Sequence, residues 1–255
     1  MSRKVTIKDV AKEAEVSIAT VSYVLNGRED QKISEKTRKK VLQVVALMNY
    51  YPNGNAKLMR SARTGNIAVI AICPNALYRA EVVLVLDALS AKAKERGRRL
   101  IYHRYSGAEA IANADAAVCI NFSLEAFKKL GAENTIPLIL ADGFTDEPWC
   151  FQVNPDFSRI QGPGRLAVFF PENENLRNQI LAAHPDAVFI SHLNDLHNAP
   201  SLLFTHQRTL HELLKSSGKE TAFIDDFAEK RLNMLFDCID KALSHDEFEQ
   251  HSFTI

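Results

Sequence analysis

The sequence predicts two architectures in one chain. An all-α headpiece of helix-turn-helix type spans residues 1–52, a linker covers 53–65, and an α/β region of doubly wound parallel sheets spans 66–255. Capped helices with apolar residues at helical spacing predict the first part. Apolar runs that alternate with helical segments predict the second. The charge divides in the same way: residues 1–65 carry 13 Lys and Arg against 6 Asp and Glu, or +7, and the rest carry 18 against 25, or −7.

The first helix is indicated by a capping box, in which the Thr6 hydroxyl accepts an early helix N–H and the Asp9 carboxylate reaches back. Glu15 stands in the turn that follows the helix, where a left-handed backbone would cost on the order of 1 kcal/mol. The predicted inward face of this helix carries Ile7, Val10, Ala11 and Ala14.

The second helix is the most informative element of the headpiece. Ser17 can cap it, and Val21, Val24 and Leu25 point inward. Its other face is small, uncharged and close to the helix start, which suits a helix that approaches base edges in a major groove. That face carries Ile18, Ala19, Thr20 and Tyr23.

A third helix is predicted after the cap candidate Ser34, and it ends before Pro52 because proline disfavours helix in the preceding residue. Its buried stripe comprises Ile33, Val41, Val44 and Leu47 or Met48. Three short helices form only a small core, which suits a headpiece attached to a larger body.

The body is predicted from buried apolar runs and the helices between them. We predict strands at 67–73, 100–102, 116–120, 137–141, 166–170, 187–191 and 222–225, and helices at 78–96, 122–130, 172–183, 201–216 and 227–243. A doubly wound subdomain usually takes about 120–150 residues. Only 190 residues follow residue 65, fewer than two such subdomains would need.

An ordered series of motifs resembles the N-terminal region of the LacI family of bacterial transcriptional repressors. The motifs are Thr-Ile-Lys-Asp-Val-Ala at 6–11, Val-Ser-Ile-Ala-Thr-Val-Ser at 16–22, Val-Leu-Asn-Gly at 24–27, Ser-Glu-Lys-Thr-Arg at 34–38, Asn-Tyr at 49–50, Pro-Asn at 52–53 and Gly-Asn-Ile-Ala-Val-Ile at 65–70. The resemblance implies a homodimer that binds a double-stranded, pseudo-palindromic operator as a repressor. It also implies a body of two subdomains of periplasmic-binding-protein type with a sugar-like effector between them. Because the body has only 190 residues, the second subdomain is predicted to be truncated.

The DNA contacts follow from the second helix and the resemblance. Ile18, Ala19 and Tyr23 are expected to touch base edges, and Tyr23 stands where many family members place arginine. The remaining candidates in the headpiece, for phosphate or secondary contacts, are Thr6, Ser17, Thr20, Ser22 and Asn26.

The linker resembles the family's hinge helix, which folds on DNA and lies in the minor groove. Met59 aligns with the family's wedging leucine, and an apolar wedge beside a cation such as Arg60 suits a minor-groove kink. The other hinge candidates are Asn53 and Ala56. Gly54 and Asn55 leave open the alternative of an unstructured linker in the absence of DNA.

Effector binding is expected to rest on five residues, with Asp195 aligned to a carboxylate that often bonds sugar hydroxyls in the family. A carboxylate at the end of a strand in an α/β cleft suits that work. The weaker candidates are Asn75, Tyr78, Asp142 and Arg177. Since family motifs around several of them are altered, the alternative is a body that serves only dimerisation or protein interaction.

Enzyme chemistry finds little support, because no dinucleotide, Walker-type or nucleophile-elbow motif is present. Four histidines, at 192, 197, 206 and 211, suggest a zinc site only weakly, so neither metal nor cofactor is expected. Cys73 and Cys119 lie in apolar runs and are expected to be buried thiols of a reducing compartment. The chain shows no secretory signal and no apolar run of spanning length, which predicts a cytoplasmic protein that does not enter a membrane.

Overall fold

The structure is a computed structural model that describes residues 5–25, 32–48, 50, 63–107, 110–146, 150–225, 228–244 and 251–255. Asn26 and the hinge candidates Asn53, Ala56, Met59 and Arg60 lie outside these residues. Within the described part of the chain, no helix combines the length and apolar character needed to cross a bilayer.

The headpiece consists of three helices: α1 (Ile7–Glu13), α2 (Ile18–Leu25) and α3 (Glu35–Leu47). All three predicted caps are confirmed. The capping box of α1 is closed by the Thr6 N–H, which donates to the Asp9 carboxylate at 2.8 Å. The hydroxyls of Ser17 and Ser34 accept backbone N–H groups three residues later, at 3.0 and 3.1 Å. The helices enclose a buried apolar core of Val10, Ala11, Ala14, Val21, Val24, Val41, Val44, Val45 and Leu47.

The body alternates strands and helices, as predicted. Its elements are β1 (Asn66–Ala71), α4 (Ala76–Glu95), β2 (Arg99–Arg104), β3 (Ala116–Ile120), α5 (Leu124–Glu133), β4 (Leu138–Ala141), β5 (Phe151–Asn154), β6 (Arg165–Phe169), α6 (Glu174–Ala183), β7 (Val188–Ile190), α7 (Leu193–Asn198), β8 (Leu202–Thr205), α8 (Arg208–Ser216), β9 (Glu220–Phe223), α9 (Ala228–Ser244) and β10 (Ser252–Thr254).

Two sheets of parallel strands organise these elements. The first has the strand order β10-β5-β4-β3-β1-β2 and the second the order β7-β6-β8-β9. The central strands of the first sheet are buried along their whole length, because helices cover both of its faces. Helix α9 follows the second sheet in sequence but packs against β3, β4 and β5 of the first. The predicted fold class is confirmed, with a second sheet smaller than the first.

Three differences from the predicted elements are informative. The helix predicted at 201–216 is wrong in its first half, since Leu202–Thr205 forms β8 and the helix begins at Arg208. A short apolar run cannot be assigned to strand or helix by periodicity alone. The elements β5, α7 and β10 were not predicted. Cys73 is only half-buried, because it lies beyond the end of β1, whereas Cys119 is buried as expected.

Two contacts fix the point at which the chain enters the body. The Asp115 carboxylate accepts the backbone N–H groups of Thr64 and Gly65, each at 2.9 Å. The Arg63 guanidinium donates to the carbonyl oxygen of Leu243, in the last turn of α9. The end of the linker, at Thr64 and Gly65, is therefore fixed to the body just before β1.

Candidate nucleic-acid interface and interdomain cleft

The first turn of α2 presents the surface that the sequence predicted for base contact. Ile18 is 43% exposed, which is unusual for an isoleucine, and Ser17 and Ala19 are exposed beside it. Val21 and Val24 on the opposite face are buried, so the helix is anchored while its first turn faces solvent. Thr20, Ser22 and Tyr23 are half-buried. This surface is uncharged, and its exposed Ile18 and Ala19 are apolar, which suits contact with thymine methyl groups.

Two of the predicted DNA contacts have their polar atoms engaged in caps. Thr6 is exposed, and its hydroxyl donates to the Asp9 carboxylate at 2.6 Å. The Ser17 hydroxyl lies 2.9 Å from that of Thr20 while it caps α2. A helix N-terminus attracts phosphate through its backbone dipole, so Ser17 and Thr20 are placed where a phosphate contact is favourable.

The turn between α1 and α2 has a strained backbone at Glu15. Glu15 has a φ of 54°, in the left-handed region that favours glycine. Its carboxylate pairs with the Lys40 ammonium of α3 at 2.7 Å, and this contact lowers the pKa of the Glu15 carboxyl. Both side chains are accessible to solvent, so the pair adds little stability.

Replacing Glu15 with glycine is expected to stabilise the headpiece relative to Glu15→Ala by about 0.5–1 kcal/mol. Both variants lose the ion pair with Lys40, so the comparison isolates the backbone. Amide hydrogen exchange at Val10 and Val24 measures local opening of the headpiece. Faster exchange in the glycine variant than in the alanine variant would contradict the assignment of a left-handed turn.

A cavity of about 240 Å³ lies between the two sheets. It opens where β3, β4, β8 and β9 end, with α4 on one side and α9 on the other. Ligands of open α/β sheets bind outside the carboxyl ends of the strands. The lining is mainly apolar and includes Val82, Val85, Leu89, Ile120, Phe223, Ile224, Leu232 and Leu235.

A few polar groups converge on this cleft. The Arg231 guanidinium of α9 donates to the Asp142 carboxylate at 2.5 Å, and Asp142 directly follows β4. Arg231 Nε and His206 Nδ1 are buried and have no hydrogen-bond partner among the described residues. Such buried polar atoms are costly unless something satisfies them. Glu81 of α4 accepts the Thr209 N–H at 2.7 Å.

Burial shifts the titration of these groups. It lowers the pKa of His206 to about 4, with a further lowering from Arg231 and an opposing effect of Asp142. Burial raises the pKa of Glu81, against the hydrogen bonds from Thr209. The pKa of Tyr78 is raised well above its usual value, mainly by burial and then by Asp142. His206 is therefore a neutral ring at neutral pH.

The structure separates the five predicted effector residues into two groups. Tyr78 and Asp142 line the cleft. Asn75 caps α4 and donates to the carbonyl of Ser191 at 2.7 Å, so it links the two subdomains. Arg177 donates to the carbonyl of Pro171 and lies over the ring of Phe170. Asp195 accepts the N–H groups of Ser191 and His192 at the start of α7.

Three residues that line the cleft were not predicted from the sequence as ligand contacts: Glu81, His206 and Arg231. The signal for His206 was a polar residue directly after a buried strand, which the wrongly predicted helix at 201–216 obscured. Nothing in the sequence indicates that Arg231 reaches Asp142. The four histidines do not assemble, and the described residues contain no group of three His, Cys, Asp or Glu able to hold a metal ion.

Known proteins resemble both the headpiece and the body of this chain. Residues 6–53 match the family model described as "Bacterial regulatory proteins, lacI family". The chain is 40% identical over 90 residues to catabolite control protein A of Staphylococcus epidermidis, and 48% identical over 66 residues to that of Streptococcus mutans. These matches cover 35% and 26% of this chain but only 27% and 19% of those proteins.

The fold of the body is also similar to that of solved structures. A transcription regulator like protein from Staphylococcus haemolyticus matches 75% of this chain and 95% of its own, with a TM-score of 0.52 and 12% identity. At this identity the likeness concerns the fold alone, and it agrees with the two parallel sheets described above.

Proposed function

We propose, from the match of residues 6–53 to the model of the lacI family of bacterial regulatory proteins, that the chain is a sequence-specific DNA-binding transcriptional regulator. It binds a pseudo-palindromic operator as a homodimer and acts as a repressor. The observation that carries the proposal is the exposed, uncharged first turn of α2 around Ile18, set in a segment of charge +7. A basic surface supplies affinity for phosphate, and an uncharged helix start can approach bases.

In vitro selection from a random duplex pool tests this proposal with the full chain. We expect the recovered sequences to share two half-sites related by a dyad, because a symmetric dimer matches a pseudo-palindrome. Recovered half-sites also identify the operator for every later experiment. A pool that shows no enrichment at moderate salt would overturn the proposal.

Tyr23→Ala is expected to change base preference, whereas Lys40→Ala is expected to weaken all sequences alike. Tyr23 lies on the predicted base-reading helix, while Lys40 on α3 is a cation that acts on phosphate without reading bases. Loss of one phosphate contact reduces the salt slope of binding by about 1. Affinities for operator variants, measured at several salt concentrations, distinguish the two effects. Equal losses on every variant for Tyr23→Ala would contradict its role.

The cleft supports regulation by a small, sugar-like molecule as the second part of the proposal. Its volume of about 240 Å³ falls just below the range of about 300–1,000 Å³ that ligand pockets usually measure, which suits a small molecule. An apolar lining with a few convergent polar groups is typical of such sites. The unpartnered nitrogens of His206 and Arg231 offer hydrogen bonds to a bound hydroxyl or carbonyl oxygen.

Calorimetry against sugars, purines and phosphorylated sugars tests the cleft. For a compound that binds, we expect Asp142→Asn to reduce affinity at least about tenfold, since a charge-assisted hydrogen bond contributes roughly 1.5–3 kcal/mol. Asparagine tolerates the positive φ of 56° at this position. Asp195→Asn, outside the cleft, is the matched control and is expected to bind normally. No heat with any compound would favour the alternative of a body that serves only dimerisation or protein interaction.

A further inference from the structure

The headpiece and the body make a specific contact. Gln43 of α3 is only 5% exposed, and its side-chain amide donates to two carbonyl oxygens of the body, those of Gly131 and Asn134. Both acceptors lie at the carboxyl end of α5. One turn earlier on α3, the Lys39 ammonium meets the Glu133 carboxylate at 2.9 Å.

The chemistry of this contact is that of a helix cap supplied by another domain. The last carbonyls of a helix lack partners within the helix and carry its negative dipole end. At the end of α5, the Gln43 amide and the Lys39 cation from α3 add to the hydrogen bond that the Gly131 carbonyl already accepts from the Asn134 N–H. A buried polar side chain that reaches defined acceptors fixes geometry more tightly than apolar contact does.

The acceptor side of the contact is rigid. Asn134, which is buried, donates through its own side chain to the Leu130 carbonyl at 2.8 Å and accepts the Ile111 N–H at 2.6 Å. Its backbone carbonyl is therefore held in place for Gln43. Where the chain enters the body, Asp115 fixes Thr64 and Gly65. The headpiece is thus held to the body on both sides of the linker.

The docked headpiece still presents its DNA-reading surface. Ser17, Ile18 and Ala19 are exposed in the same arrangement in which Gln43 is buried. The contact between α3 and α5 is accordingly compatible with entry of α2 into a groove.

We propose that Gln43 is a positioning residue: by docking α3 on the end of α5 it fixes the headpiece on the body, and so sets the half-site spacing that a dimer accepts. The inference rests on the proposed function, because spacing has meaning only for a dimer on DNA. One added base pair moves a half-site by about 3.4 Å and rotates it by about a tenth of a turn. A fixed headpiece cannot follow that change, whereas one held only by its linker can.

The test measures affinity of the full chain for operators whose half-sites are moved apart or together by one and two base pairs. Wild type is expected to prefer one spacing by roughly tenfold or more over its neighbours, and Gln43→Met is expected to reduce that ratio below about threefold. Affinity for a duplex with a single half-site should stay unchanged in Gln43→Met, which separates positioning from loss of base contact or of fold.

A charge exchange between Lys39 and Glu133 provides a second test of the proposal. Glu133→Lys faces Lys39 with a like charge and is expected to flatten the spacing profile, and Lys39→Glu combined with Glu133→Lys is expected to restore it. Glu125→Lys is the matched control, because Glu125 lies on α5 but pairs with Lys129 within the helix.

The outcomes are separable. A chain that binds no duplex specifically overturns the proposed function and this inference with it. A chain that binds all spacings equally overturns the inference alone. So does a spacing preference that survives both Gln43→Met and Glu133→Lys.

Discussion

Replacing Ile18 with glutamate is expected to abolish specific operator binding, with a loss of more than about a hundredfold in affinity. Ile18 is 43% exposed at the start of α2, where base edges and phosphates would approach most closely. A carboxylate there meets the negative potential of DNA and displaces an apolar contact with a thymine methyl. Fluorescence anisotropy with the selected operator measures the loss.

A folding defect is not expected to contribute to this loss. An acidic residue in the first turn of a helix is favourable for the helix itself, by about 0.3–1 kcal/mol. Ile18→Glu should therefore melt at or above the wild-type temperature. Ile18→Ala, which removes the apolar contact without adding charge, is the matched control, with an expected loss of about tenfold. Wild-type affinity in the glutamate variant would exclude α2 as the reading helix.

Acidification from pH 7 to pH 5 is expected to cost about 2 kcal/mol of folding free energy through His206 alone. The ring's pKa is about 4 in the folded chain and 6.5 in its reference state. Because the unfolded chain takes up this proton first, the stability present above pH 6.5 is lost as the pH falls toward 4. Urea unfolding at the two pH values measures the difference.

The His206→Phe variant isolates this effect. Phenylalanine fills the same space beside Phe157 but cannot take up a proton, so the variant should lose less stability on acidification than wild type does. His103, an exposed residue on β2, provides the control. His103→Gln should show the wild-type pH dependence. An unchanged dependence in His206→Phe would mean that this ring is hydrated in the folded chain.

The headpiece was predictable because its signals are local. Thr6, Ser17 and Ser34 each hydrogen-bond within three residues of themselves, and these caps fixed the starts of the three helices. For Glu15 the sequence indicated only the cost that a left-handed backbone would carry, and the structure has that backbone there. The central strands of the body were equally predictable from the sequence, since β3 is apolar and buried along its whole length.

The cleft was less predictable because its chemistry is assembled over long distances. Asp142 was found since it directly follows a buried strand. Arg231 lies on a helix of the chain's last quarter and reaches Asp142 only after α9 crosses back to the first sheet. Asp195 stood after a buried run in the same way as Asp142, yet its carboxylate accepts two backbone N–H groups at the start of α7. Sequence spacing does not distinguish a carboxylate that caps a helix from one that lines a cleft.

Helix α9 has a mechanical consequence. Its first turns carry Arg231 at the cleft. Its last turn carries Leu243, whose carbonyl oxygen accepts a hydrogen bond from Arg63 near the end of the linker. These two points lie about 18 Å apart along one helix, at 1.5 Å per residue. An α-helix resists compression through its own backbone hydrogen bonds, so it moves as a stiff rod. We therefore expect a displacement of Arg231 along the helix axis to reach Leu243 and, through it, the Arg63 contact where the linker ends.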